Sequence, residues 1–162
     1  MFANRISYWL NVKGPSMSVD QACCSSSVAL QLAYEAIRRG DCEAAVIGGA
    51  SLCLHPQQSI HTSRVIDLCP DGKTKSFDKN ADGCALSESI SVLFIQKAKD
   101  AKRIYAEVLH VKNEYTEIVK TETGPKYGFY RDVGDMTYFI KQFYKEANVD
   151  PADVKYVEAV GS

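Results

Sequence analysis

Val19-Asp20-Gln21-Ala22-Cys23-Cys24-Ser25-Ser26-Ser27-Val28-Ala29-Leu30 (VDQACCSSSVAL) sets two adjacent cysteines and three serines at the head of an apolar run. Ahead of it, Met17-Ser18-Val19 reads as a short strand. Behind it, Val28, Leu32 and Ala36, with neighbours Ala29, Ala33 and Ile37, recur at helical spacing over about 24–39. Arg38 and Arg39 suit a last turn, and Gly40 suits the C-terminal cap. A strand running into a cysteine and then straight into a helix aims that side chain out of a sharp turn. The helix start there carries unsatisfied N–H groups and a positive dipole end, which favour thiolate over thiol. Such a thiolate is a good acyl acceptor, and its own backbone N–H can help hold an oxyanion. The competing reading is that both cysteines are small core residues, as free cysteine very often is.

The rest of the chain alternates helices and strands. Residues 3–11 form a short expected helix with Ile6, Trp9 and Leu10 on one side, and Pro15 separates it from the strand at 17–19. AAVIGGASLCL (44–54) is a continuous apolar run that suits a strand buried on both faces, and SISVLFIQK (89–97) is a second strand. After the charged stretch KAKDAKR (97–103), which marks a subdomain junction, IYAEVLHVKN (104–113) alternates as a third strand. Residues 114–131 show no period and read as a long loop. Asp135 is expected to cap a helix reaching about Ala147, with Met136, Phe139, Ile140, Phe143 and Tyr144 on one face. Asp150-Pro151 turns the chain into a last strand, VKYVEAV (154–160). This order implies an α/β domain with a largely buried sheet. A strand followed only by Gly161-Ser162 also makes the chain look cut rather than finished.

At 162 residues, 46% hydrophobic and 24% charged, the chain has the composition of a globular domain with a real core. A net charge of −1 argues against a general nucleic-acid or membrane-surface binder, and no run is long enough for a membrane span. Cys23, Cys24, Cys42, Cys53, Cys69 and Cys84 include no C-x-x-C pair, and His55, His61 and His110 are scattered, so a zinc site is not expected. With no secretory signal, the expectation is a reduced, cytoplasmic protein.

The segment VDQACCSSSVALQLAYEAIRRGDCEAAVIGG resembles the nucleophile segment of β-ketoacyl synthases, above all those of animal multifunctional fatty acid synthases. Their pattern there is Asp-Thr-Ala-Cys-Ser-Ser-Ser, two apolar residues, then Ala-Leu. The likeness extends to ANRISYWLNVKGPS, CPDGKTKSFDKNADG (69–83), RIYAEVL and VDPADVKYVEAVGS, leaving out only 112–132. Gapless alignment on Asp20 and Ala22 puts Cys23 at the nucleophile. Matching Cys24 instead requires deleting a helical residue, which would rotate the following helix by about 100°. The resemblance implies a thiolase-like layered α/β fold, here incomplete. Residues 1–98 would be the C-terminal part of the ketosynthase N-terminal half, and 104–162 the start of its C-terminal half.

The implied activity is that of a 3-oxoacyl-[acyl-carrier-protein] synthase of an animal-type, insect-like enzyme. Cys23 would take an acyl chain from an acyl carrier protein, and decarboxylative Claisen condensation with a malonyl unit would follow. No metal or organic cofactor is implied, since phosphopantetheine arrives on the carrier protein, and a homodimer is expected of the parent enzyme. Departures from the pattern suggest an alternative, a non-catalytic degenerate scaffold for dimerisation or carrier binding. Val160 stands in Glu158-Ala159-Val160-Gly161-Ser162 where the family has the histidine of Glu-Ala-His-Gly-Thr. Gln21 replaces a Thr, Leu86 stands where Arg is common, and the Asn-Thr-Asp-Gly loop is not visible at 113–124. A third reading is an incomplete gene product, which would be poorly soluble alone.

Other constellations read as structural. Asp78-Lys79-Asn80-Ala81-Asp82-Gly83 matches half an EF-hand loop, but Ser89 occupies its twelfth position, so a surface turn is expected. The three histidines miss the family's catalytic positions. Glu88 and Glu158 gain no support as a carboxylate pair from their spacing, and Glu158 more simply supports its strand and turn. The basic stretch 97–103 reads as a solvated linker, with a carrier-protein contact as its functional alternative.

Overall fold

A computed structural model describes residues 1–126 and 131–161. The chain divides into two compact units, Met1–Ala45 with Phe94–Lys155 and Val46–Leu93 with Tyr156–Ser162.

In the first unit, helix α1 (Phe2–Trp9) opens the chain. The Ser7 hydroxyl donates to Ser16 Oγ at 2.9 Å, which ties the segment after α1 back onto it. The strand expected at 17–19 is not formed; the segment reaches residue 21 without a ladder, because no strand edge among the described residues pairs with it. A single 3-10 turn, Ala22–Cys24, then leads directly into α2 (Ser25–Arg39). Helix α2 ends as its residues dictate. Gly40 takes the left-handed conformation (φ 84°), its N–H donates to Ile37 O, and Asp41 N–H donates to Ala36 O at 2.9 Å. Ala36 and Ile37 are the buried residues of this helix.

Residues 104–113 form no strand either. Alternation makes a segment competent to pair, but a ladder also needs a partner, and here side chains do the anchoring. The Tyr34 hydroxyl of α2 donates to Leu109 O at 2.8 Å. Glu146 of α4 (Val133–Ala147) receives Lys112 Nζ at 2.7 Å and faces His110 Nε2 at 3.2 Å. Within the stretch expected to be loop, β3 (Val119–Thr121) and β4 (Gly124–Lys126) pair antiparallel, Val119 opposite Lys126. The missed signal was the short β-branched run Ile118-Val119 ahead of Gly124. Helix α4 forms where its periodicity placed it, but Asp132, not Asp135, caps it: Asp132 Oδ1 accepts from Asp135 N–H at 3.1 Å. A Cβ at residue 134 would lie 2.8 Å from that carboxylate oxygen, so Gly134 leaves the cap its room.

The larger part of β1 (Ala44–Ser51) and β2 (Ser89–Gln96) belongs to the second unit, and these strands pair as a two-stranded sheet. The expected burial on both faces is not found. Ile47 is the buried residue of β1, whereas Ile90, Val92 and Leu93 are exposed, because no further strand extends this sheet among the described residues. Helix α3 (Pro56–Thr62), which the sequence reading missed, starts at Pro56 with His55 Nδ1 accepting from Gln57 N–H at 3.2 Å. The segment 154–160 is not a strand; Tyr156, Val157 and Val160 are exposed.

Candidate active site

The turn that carries the two cysteines is built from local hydrogen bonds. Ala22 has φ 49°, a region that L residues seldom occupy. Asp20 Oδ1 accepts from Ala22 N–H at 3.2 Å, and Cys24 N–H donates to Gln21 O at 3.0 Å. Ser25 closes the turn from the helix side: its Oγ accepts from Gln21 N–H at 2.8 Å and donates to Ala22 O at 2.7 Å. The serines after the cysteines are thus partly turn hardware. The N-cap residue Cys24 makes no side-chain cap for α2, and the Ser25 N–H donates to Ala22 O. Cys23 and Cys24 are both exposed and free.

Beside this turn lies a cavity of about 330 Å³, contained within the first unit and lined by Gln21, Cys24, Val28, Asn113, Tyr115 and Ile118 among others. It is Cys24, rather than Cys23, that lines it. The spacing of the sequence shows that two thiols are adjacent; only the placement of residues 113–119 shows which one borders a cavity.

The remaining candidates stand as follows. Val160 belongs to the second unit and is 92% exposed. Glu158 accepts from the Tyr156 hydroxyl, while Glu88 Oε1 accepts from Cys53 N–H at 2.7 Å, so the two carboxylates serve separate contacts. That bond to Glu158 pushes the Tyr156 hydroxyl's pKa up. His55 caps α3, His61 lies in that helix's last turn, and His110 packs on Phe143 with ring centroids 5.1 Å apart. In the half EF-hand, Asp78 Oδ1 accepts from Asn80 N–H at 2.7 Å, a self-contained turn.

One acidic cluster has a lysine where a cation would be needed. Ligand atoms of Cys69, Asp71 and Asp82 lie within 4.8 Å of one another, but Lys75 Nζ stands 2.7 Å from Asp82 and 3.3 Å from Asp71. The ammonium holds the Asp82 carboxyl below its usual range, and the bond to Asp82 raises Lys75. Burial, reinforced by the Asp82 charge, pushes the Cys69 thiol up. Cys69 is buried, whereas Cys23 and Cys24 on the turn are exposed.

The chain is thus α/β, with an exposed pair of cysteines on a turn at a helix start. The family model "Beta-ketoacyl synthase, N-terminal domain" matches residues 1–101. The chain belongs to the β-ketoacyl synthase family. It is 41% identical over 163 residues to a goose (Anser anser anser) fatty acid synthase, covering 100% of this chain and 45% of that protein. It is 36% identical to polyketide synthase PksN of Bacillus subtilis, covering 98% of this chain and 3% of that one. The chain therefore spans less than half the length of either relative. Among solved structures, a Streptomyces albus oxazolomycin ketosynthase domain aligns with TM-score 0.74 at 31% identity, over 95% of this chain and 27% of that one. Ketosynthase twelve of the bacillaene polyketide synthase of Bacillus amyloliquefaciens aligns at 0.73 and 28% identity, over 99% and 28%. The fold is the ketosynthase's thiolase-like fold, present in part.

Proposed function

We propose that this chain is part of a 3-oxoacyl-[acyl-carrier-protein] synthase in which Cys23 is the acyl-accepting nucleophile. The supporting observation is an exposed Cys23 on a tight turn that feeds directly into α2, whose N-cap residue Cys24 makes no side-chain cap. In the first half-reaction, the Cys23 thiolate attacks the carbonyl of an acyl thioester and expels the carrier's thiolate. In the second, a malonyl thioester loses carbon dioxide. The resulting carbanion attacks the acyl-Cys23 carbonyl and returns the Cys23 thiolate. Substrates arrive on the phosphopantetheine arm of an acyl carrier protein, and the parent enzyme is a homodimer. Fatty acid synthesis is favoured over polyketide synthesis by the 41% against 36% identity. Residues 1–98 supply the end of the synthase's N-terminal half, and 104–162 the start of its C-terminal half.

The condensing step is compromised in this chain. Valine at 160 neither donates a hydrogen bond nor carries a proton, and losing one well-placed oxyanion donor costs roughly 100- to 1000-fold in rate. Val160 and Leu86 also favour a second reading, a scaffold that no longer condenses. Incubating the chain with acyl-thioester and locating the adduct by peptide mass spectrometry separates the two. Saturable acylation of Cys23 supports the enzyme; no adduct at any concentration supports the scaffold.

A further inference from the structure

Two adjacent thiols raise the question of what orients the turn that bears them. Asn113 and Tyr115, two residues apart, both reach the cysteine region from one segment. Asn113 donates to Gln31 Oε1 from its backbone N–H at 2.8 Å and from Nδ2 at 2.7 Å, and Nδ2 also donates to Ser27 O at 3.1 Å. Gln31 is itself oriented: its Nε2 donates to Glu35 Oε1 at 2.8 Å, which leaves its oxygen for Asn113. The Tyr115 hydroxyl donates to Gln21 Oε1 at 2.9 Å. Gln21 is the residue that opens the 3-10 turn, and its N–H is held by Ser25 Oγ. Asn113, Tyr115, Gln21 and Cys24 all line the same cavity. At its other end the segment is tied to α4 through Lys112, His110 and Glu146. Gln21 stands where the family pattern has a shorter threonine, and in this chain that longer amide meets a tyrosine.

We propose that Asn113 and Tyr115 are positioning residues that hold the Ala22–Cys24 turn against the cavity wall and so set the relative accessibility of Cys23 and Cys24. Asn113 fixes the segment on α2, and Tyr115 fixes Gln21, hence the turn. The inference rests on the acyl-transfer reading only for what the thiols would carry; the geometry itself is independent of it.

The test uses the full 162-residue chain and iodoacetamide, with the alkylation rate of each cysteine followed by peptide mass spectrometry. Tyr115→Phe keeps the ring and removes the donor, while Gln21→Thr removes the acceptor. Each variant is expected to change the Cys24-to-Cys23 rate ratio about three- to ten-fold, the effect of losing one net hydrogen bond. The double variant should go no further than either single one, because both break the same bond. Cys42 and Cys53 should react as in the parent chain, which reports an intact fold. A ratio unchanged in both single variants overturns the proposal, as does a change shared equally by Cys42 and Cys53. A shifted ratio in a chain that accepts no acyl group leaves the positioning role standing and removes the acyl-transfer reading. Acylation of Cys23 with an unmoved ratio does the reverse.

Discussion

Gly83 and the two adjacent cysteines show how much a single position carries in this chain. Gly83 has φ 131°, and a Cβ there would lie 2.5 Å from the Asp67 carbonyl oxygen, the atom that accepts from Cys84 N–H. That bond and Cys69 N–H to Cys84 O make the bridge that brings 67–69 against 84. Gly83→Ala is therefore expected to destabilise the second unit by about 1–3 kcal/mol, the usual cost of a forbidden backbone conformation, with a lowered thermal midpoint as the readout. For the thiols, acylation by an acyl-thioester should vanish in Cys23→Ser and persist in Cys24→Ser. Adduct mapped to Cys24 in the parent chain would reassign the nucleophile to the residue that lines the cavity.

The C-terminal end of α2 was legible because it depends on neighbours in sequence. Gly40 ends α2 and α4 forms over the expected stretch, since both are matters of local spacing and backbone freedom, although Met136 and Ile140 of its apolar row are exposed. The cap of α4 shows the limit of such reading. Asp132 and Asp135 are both capping residue types, and the helix starts early enough that Asp132 accepts while Asp135 donates its N–H from the first turn. Asp132→Ala is expected to cost α4 about 1 kcal/mol, with Asp135→Ala costing less, as measured by chemical denaturation. Strands were less legible. Runs 17–19, 104–113 and 154–160 have strand-like patterns yet no ladder, because pairing needs a second edge that no local pattern supplies.

Across the molecule, two lysine–carboxylate clusters give a signed dependence on pH. Lys75 holds Asp82 below the usual carboxylate range, and Lys112 does the same to Glu146. A folded-state pKa below the unfolded one stabilises above the unfolded value, and that contribution is lost as pH falls through the depressed value. The lysines are raised, so their share is complete below the ordinary ammonium value and disappears as pH rises through the raised one. Lys75→Met should move the Asp82 titration to higher pH by NMR and start acid unfolding of the second unit earlier. A second consequence concerns surface. Ile90 (67%), Val92 (63%) and Phe94 (63%) of β2 are largely exposed, and such apolar area drives association. Sedimentation velocity should show concentration-dependent self-association of the chain, reduced in an Ile90→Lys, Val92→Thr variant.

Residue order alone was enough to place the cysteine pair at a helix start and to define α2 and α4, because turns, caps and 3.6-residue spacing are written in near neighbours. It also carried the family resemblance. Which thiol borders the cavity and which apolar runs find a partner were decided by contacts between residues far apart in the chain, such as Asn113 with Gln31 and Tyr115 with Gln21. No local pattern encodes such contacts, since each depends on where two distant segments come to lie.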